Sequence, residues 1–115
     1  MKRIRENRSN DIAKEIMNQI NAIDRRAFWA WGASEFISGD GKVVGLDKDC
    51  EGFLRFKTVN CPKLRRGGKI LIALMYDDTY SIVAYRISGS NVKIVAKVED
   101  VYAEDLISTI DEIVG

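Results

Sequence analysis

Apolar positions along this chain change period twice. From Ile12 onward they recur at helical spacing. Stepping about 100° per residue, Ile12, Ala13, Ile16, Met17, Ile20, Ile23, Ala27, Phe28, Ala30 and Trp31 fall within one broad arc. Ser9 or Asn10 is placed to cap such a helix, with Asp11 in its first turn and Gly32 offering a left-handed stop. The spacing therefore predicts a helix ending near Trp31, preceded by a mobile basic arm over residues 1–8. Trp29 falls on the opposite side of this helix, beside Asn18, Ala22, Arg25 and Arg26. Two readings of Trp29 follow. If the helix persists, Trp31 is core and Trp29 projects into solvent; if the helix ends earlier, Trp29 folds onto a sheet.

After Gly32 the period shortens to two. Residues 36–38 and 42–46 flank Gly39-Asp40-Gly41, a hairpin-turn signal, and 47–52 is a polar loop. Residues 53–59 alternate, with Leu54 and Phe56 on one face and Phe53, Arg55 and Lys57 on the other. Pro62 and the Gly67-Gly68 pair mark a loop. Residues 69–76 are apolar on both faces, as in a central strand, and Asp77-Asp78 is a turn. Residues 79–87 and 91–98 are two further strands around Gly89-Ser90, the second with Val92, Ile94, Ala96 and Val98 inward and Lys93 and Lys97 outward. Connections this short imply an antiparallel meander.

Helical spacing returns at the end, where Tyr102, Ala103, Leu106, Ile107, Ile110, Ile113 and Val114 share an arc and Asp100 is placed to cap. An N-terminal helix, four to six antiparallel strands and a C-terminal helix predict a two-layer α+β fold. Residues 9–115 are expected to form one domain, consistent with 115 residues and 46% apolar composition.

Net charge is +1, but its distribution is uneven. Lys2, Arg3, Arg5 and Arg8 crowd the start. No acid lies between Glu51 and Asp77, an interval holding Arg55, Lys57, Lys63, Arg65, Arg66 and Lys69. Glu99, Asp100, Glu104, Asp105, Asp111 and Glu112 then reverse the sign. No apolar run approaches the roughly 20 residues that span a bilayer, and no secretory leader is visible. Cys50 and Cys61 are expected to be free thiols in a reducing cytoplasm.

Candidate chemistry is thin. The chain has no histidine, which removes the usual Ser-His and Cys-His pairs. Asp47–Gly52 resembles the front of a calcium loop, but its twelfth position is Thr58 rather than glutamate. Arg65-Arg66-Gly67-Gly68-Lys69 lacks the first glycine and the hydroxyl of a nucleotide loop. Asp77-Asp78 and Glu104-Asp105 have ready structural roles in a turn and at a helix start. No metal, cofactor or catalytic residue is assigned, and the chain is not expected to be an enzyme.

Two binding surfaces stand out instead. Trp29 with Arg25 and Arg26, and Arg65 and Arg66 in the basic loop, are residue types that anchor protein interfaces. Alternatively, Arg55, Lys57, Lys63, Arg65, Arg66 and Lys69 would grip nucleic-acid phosphates without regard to sequence.

Short stretches add a resemblance. Gly32-Ala33-Ser34-Glu35-Phe36, then Leu54-Arg55-Phe56, Asp78-Thr79-Tyr80 and Val101-Tyr102-Ala103-Glu104-Asp105-Leu106 resemble, in order and rough spacing, a family of small phage and prophage proteins. The resemblance covers about residues 15–113, with a longer connection here over 38–52. It implies a phage or mobile-element origin and brings no catalytic residue. Small accessory phage proteins often act by stoichiometric binding to host machinery, including immune effectors. The expectation is thus a protein that binds and modulates a host protein, such as a defence nuclease, inside a bacterial cytoplasm.

Overall fold

Five consecutive stretches of the chain pair in sequence order. In a computed structural model, which describes residues 2–59, 64 and 68–114, β1 (Ser34–Gly41), β2 (Cys50–Lys57), β3 (Gly68–Met75), β4 (Tyr80–Ser88) and β5 (Asn91–Val101) form one antiparallel sheet of order β1-β2-β3-β4-β5. Helices α1 (Lys2–Ile23) and α3 (Leu106–Val114) lie on the same side of it. The α+β meander expected from the spacing is the observed fold.

The main core lies between the helices and the sheet. Ile12, Ile16 and Ile20 of α1 and Leu106 and Ile110 of α3 bury against Leu54, Phe56, Ile70, Ile72, Ile82 and Ala84. Gly52 lets α1 come close to β2: a Cβ there would stand 2.9 Å from Ile12 Cδ1. Polar ties fix the layers. Ser38 Oγ donates to Asn10 Oδ1 (2.6 Å), and Tyr80 Oη donates to Gln19 Oε1 (2.9 Å).

Several local expectations are corrected. Ser9 and Asn10 do not start a helix, because α1 is already helical from Lys2, through the stretch assigned to an arm. Nor does one helix reach Trp31. Asp24 interrupts it: its Oδ1 accepts the Arg26 N–H (2.9 Å), a local bond that competes with the helical ladder. A short turn, α2 (Ala27–Ala30), follows. It ends as expected at Gly32, whose φ is 63°. The N–H groups of Gly32 and Ala33 bond back to the carbonyls of Trp29 (3.0 Å) and Phe28 (2.9 Å), closing a left-handed helix stop.

Gly39-Asp40-Gly41 is not a hairpin turn but the end of β1, so residues 42–46 add no strand. Instead residues 42–49 cross the outer face of the sheet as a strap. Val43 packs there with Leu71, Ala73, Val83 and Tyr85 in a second, smaller core. Near the C-terminus Asp100 belongs to β5 at φ 57° and caps nothing. The final helix is preceded by a 3₁₀ turn over Ala103–Asp105, which leaves Tyr102 exposed rather than on the apolar arc.

Candidate binding surfaces

Trp29 and Trp31 sit two residues apart and meet opposite fates. Trp31 is 2% exposed and Trp29 is 81% exposed. A single helical turn accounts for this, since positions two apart point about 200° apart. Trp31 stacks on Phe56 with ring centroids 6.1 Å apart, and its Nε1 donates to Asp111 Oδ1 of α3 (2.7 Å). Trp29 packs on neither sheet nor helix. It makes no ring contact or cation–π contact among the described residues, so the Arg25 side chain does not stack on it. Arg25 and Arg26 are exposed beside it in sequence and form no ion pair among the described residues. Exposed Ile23, at the end of α1, adds apolar surface to the same corner of the chain.

The outer face of the sheet carries the second set of candidates. Strand register places Lys57 opposite Lys69, and Arg55 opposite Leu71, all on the face away from the helices. Lys69 is in turn opposite Tyr85. The structure thus brings together Arg55, Lys57 and Lys69, three of the six cations expected to hold phosphate. Lys63, Arg65 and Arg66 lie outside the described residues, as does Cys61. Arg55 Nη1 donates to Tyr85 Oη at 3.5 Å and has no carboxylate partner among the described residues. Lys57 meets Glu35 at 3.7 Å, a half-exposed pair of small energetic weight.

One feature of this face was not expected. Strand β5 does not keep a single inward side, because Val95 is an extra residue between the pairs Ala84–Ala96 and Tyr85–Ile94. This bulge switches faces. Ala96 and Val98 pack inward, whereas Val92 and Ile94 fall on the outer face and are 49% and 40% exposed. With Ile87 and Val44 they make an apolar patch beside the cations. A groove of about 280 Å³ runs under it, lined by Val43, Val44, Leu71 and Val92 with Lys42 and Arg55. Alternation in sequence reads the same with or without a bulge, so nothing in the chain signalled the switch.

Beyond the strap, at the other end of the face, lies an open cleft of about 780 Å³. Its acids are Asp47 and Asp49 of the strap, Asp77 of the β3–β4 turn, and Glu99 and Asp100 of β5. Asp77 Oδ1 accepts from Thr79 Oγ1 (2.6 Å) and Thr79 N–H (3.1 Å), which holds its carboxyl below the usual range; Lys48 adds a smaller pull in the same direction. Among the described residues no three acids or cysteines stand close enough to share a metal ion. Cys50 is free, and burial pushes its thiol up to about 11, so it stays neutral and a poor nucleophile at pH 7.

Among the described residues no helix is long and apolar enough to cross a membrane. Comparison with protein-family models, with curated proteins and with solved structures returns no match to this chain.

Proposed function

We propose that this chain is a non-enzymatic accessory protein of a phage or mobile element that binds and modulates a host protein in the bacterial cytoplasm, a defence nuclease being one such target. The observation that carries the reading is Trp29, 81% exposed and, among the described residues, without a ring partner, next to two arginines that form no ion pair among those residues. Tryptophan and arginine are the residue types that most often dominate binding energy at protein interfaces. Leaving an indole in water has no benefit for folding, since the same side chain contributes only when covered. The resemblance to small phage proteins supports the same reading by analogy alone.

Trp29→Ala is expected to change unfolding free energy by less than about 1 kcal/mol, as for an exposed site. The same variant is expected to lose a partner that the unmodified protein captures from nuclease-treated host lysate. Chemical denaturation and affinity capture followed by mass spectrometry read the two effects. Equal capture by the variant rejects the reading.

A second reading rests on the cluster of Arg55, Lys57 and Lys69 on one sheet face. It is sequence-tolerant nucleic-acid binding, with the backbone phosphates as the contact. Tyr85, whose hydroxyl accepts from Arg55, is only 4% exposed, so base stacking on it is not available. Affinity for single-stranded DNA or RNA is then expected to fall steeply between 50 and 200 mM salt, by about tenfold or more for a few phosphate contacts. Fluorescence anisotropy measures it, and an absence of binding at the lowest salt eliminates the reading.

A further inference from the structure

We propose that the groove under the outer-face apolar patch binds a linear aliphatic carboxylate, an anion of the fatty-acid type. This rests on neither the Trp29 reading nor the nucleic-acid reading, and each can fail alone.

The groove has apolar walls and a single sign of charge. The strap supplies Val43 and Val44, the sheet floor Phe53 and Leu71, and the β4–β5 hairpin Ile87 and Val92. Its charged side chains are Lys42 and Arg55, and among the described residues no carboxylate lines it. It reaches from β2 to β5, a distance of about 14 Å at the usual strand spacing. The strap wall is held in place. Val43 is buried against the sheet, and Gly45, at φ 82°, passes so near that a Cβ there would stand 3.2 Å from Ile94 Cδ1. The bulge at Val95 completes the far end, because it turns Val92 outward beside Ile87.

Arg55 and Tyr85 form the head-group site. They come from β2 and β4 and meet across β3, with Arg55 Nη1 3.5 Å from Tyr85 Oη. Both line the groove. A guanidinium has five N–H donors, and this one has no carboxylate partner among the described residues. The Tyr85 phenol accepts from Arg55 and still carries its own hydrogen to donate. A carboxylate seated here accepts from the guanidinium and the phenol together. A cationic head group is repelled, and a neutral one lacks the charge that strengthens such bonds.

Three other occupants match the groove less well. A second copy packed face to face would set Arg55, Lys57 and Lys69 against their own equivalents. A nucleic-acid strand would meet the cations but leave Ile87 and Val92, 48% and 49% exposed, uncovered. An extended peptide would lay backbone N–H and C=O groups over apolar side chains, with no strand edge on the sheet face to pair them. A chain of methylenes with one anionic end puts its polarity only where the groove has its own.

The test uses the whole chain, labelled with ¹⁵N and titrated with sodium decanoate below the concentration at which it aggregates. The expected result is saturable binding, with the largest amide shifts over residues 42–46, 53–55, 71, 85–87 and 92–94. Decanol keeps the tail without the charge, and butyrate the head without the tail; each should bind weaker by about tenfold or more. Arg55→Met should weaken decanoate by about tenfold or more, and Tyr85→Phe, which keeps the ring, several-fold. If Arg55→Met does not fold, Arg55→Lys carries the comparison, since it keeps the charge and loses the fork. Decanol binding as tightly as decanoate overturns the proposal, because the apolar patch alone would then suffice. So do shifts that never saturate, shifts centred on Trp29, or affinity unchanged in the Arg55 and Tyr85 variants. A Glu-Leu repeat peptide or single-stranded DNA that shifts these amides when decanoate does not also overturns it, because the face would then receive a macromolecule rather than a free amphiphile.

Discussion

Replacing Phe56 with alanine is expected to lower unfolding free energy by about 3–5 kcal/mol, the range for truncating a buried aromatic. Phe56 is 0% exposed and sits at the centre of an aromatic cluster. Phe28 meets it edge-on at 5.6 Å, Trp31 stacks on it at 6.1 Å, and Phe36 tilts against it at 5.7 Å. These rings come from α2, β1 and β2, so no single element can move to fill the void. Its strand neighbours in the core, Leu54 and Ile70, are held by the ladder. The cost should therefore fall near the top of the range, and Phe56→Leu should recover part of it. Urea denaturation followed by circular dichroism gives both values. A loss below about 1 kcal/mol, the size expected of an exposed site, would show that the cluster does not hold the layers together.

Trp31→Ala should be nearly as damaging, again by about 3–5 kcal/mol. Two separate contributions are removed. One is the indole's burial, at 2% exposure, and its stack on Phe56. The other is the 2.7 Å bond from Nε1 to Asp111, which links α2 to α3 across 80 residues of chain. Trp31→Phe separates them: it keeps an aromatic ring and removes the bond to Asp111, whose exposed carboxylate water then solvates, with an expected loss of about 0.5–1.5 kcal/mol. Because Trp31 and Phe56 touch, the two alanine variants should not add, and the double variant should fall short of their sum by 0.5 kcal/mol or more. The contrast with Trp29→Ala, expected to be nearly silent in the same assay, is the sharpest check on the geometry of this corner.

Much of the layout was readable from residue spacing because it depends on local period. The pairing of Leu54 with Phe56 on one face, the two-sided apolarity of β3 and the tight turns at Asp77-Asp78 and Gly89-Ser90 each need only a few residues of context. Trp31 in the core and the stop at Gly32 followed from the same arithmetic. What escaped depends on competition or on partners far away in sequence. Asp24 breaks α1 because its carboxylate outbids a helical carbonyl, which helical spacing of apolar residues does not register. Residues 42–46 look like a strand but cross the sheet, since Val43 finds its burial on Leu71 and Val83 rather than beside β2. The bulge at Val95 re-aims Val92 and Ile94 without altering a single apolar–polar alternation. The binding surfaces were legible in part. Trp29 was left with two alternatives that only the position of the helix end could separate. Strand alternation pairs Arg55 with Lys57 on one face, while Lys69, read as part of the basic loop, joins them only through its register opposite Lys57. The acidic cleft was not legible, because it assembles three segments distant from one another in sequence.

The strand order also bears on how the chain reaches this shape. Each strand hydrogen-bonds only to its immediate predecessor and successor, and the longest link between consecutive strands spans residues 58–67. No strand has to wait for a distant segment before it can dock, so the loop-closure entropy met at each step is small. Assembly can proceed by successive zippering of hairpins, which places the protein toward the quick end for sheet-containing domains. Such a chain spends little time with unpaired edges exposed, and its emerging strands can join the growing sheet in the order in which a ribosome releases them.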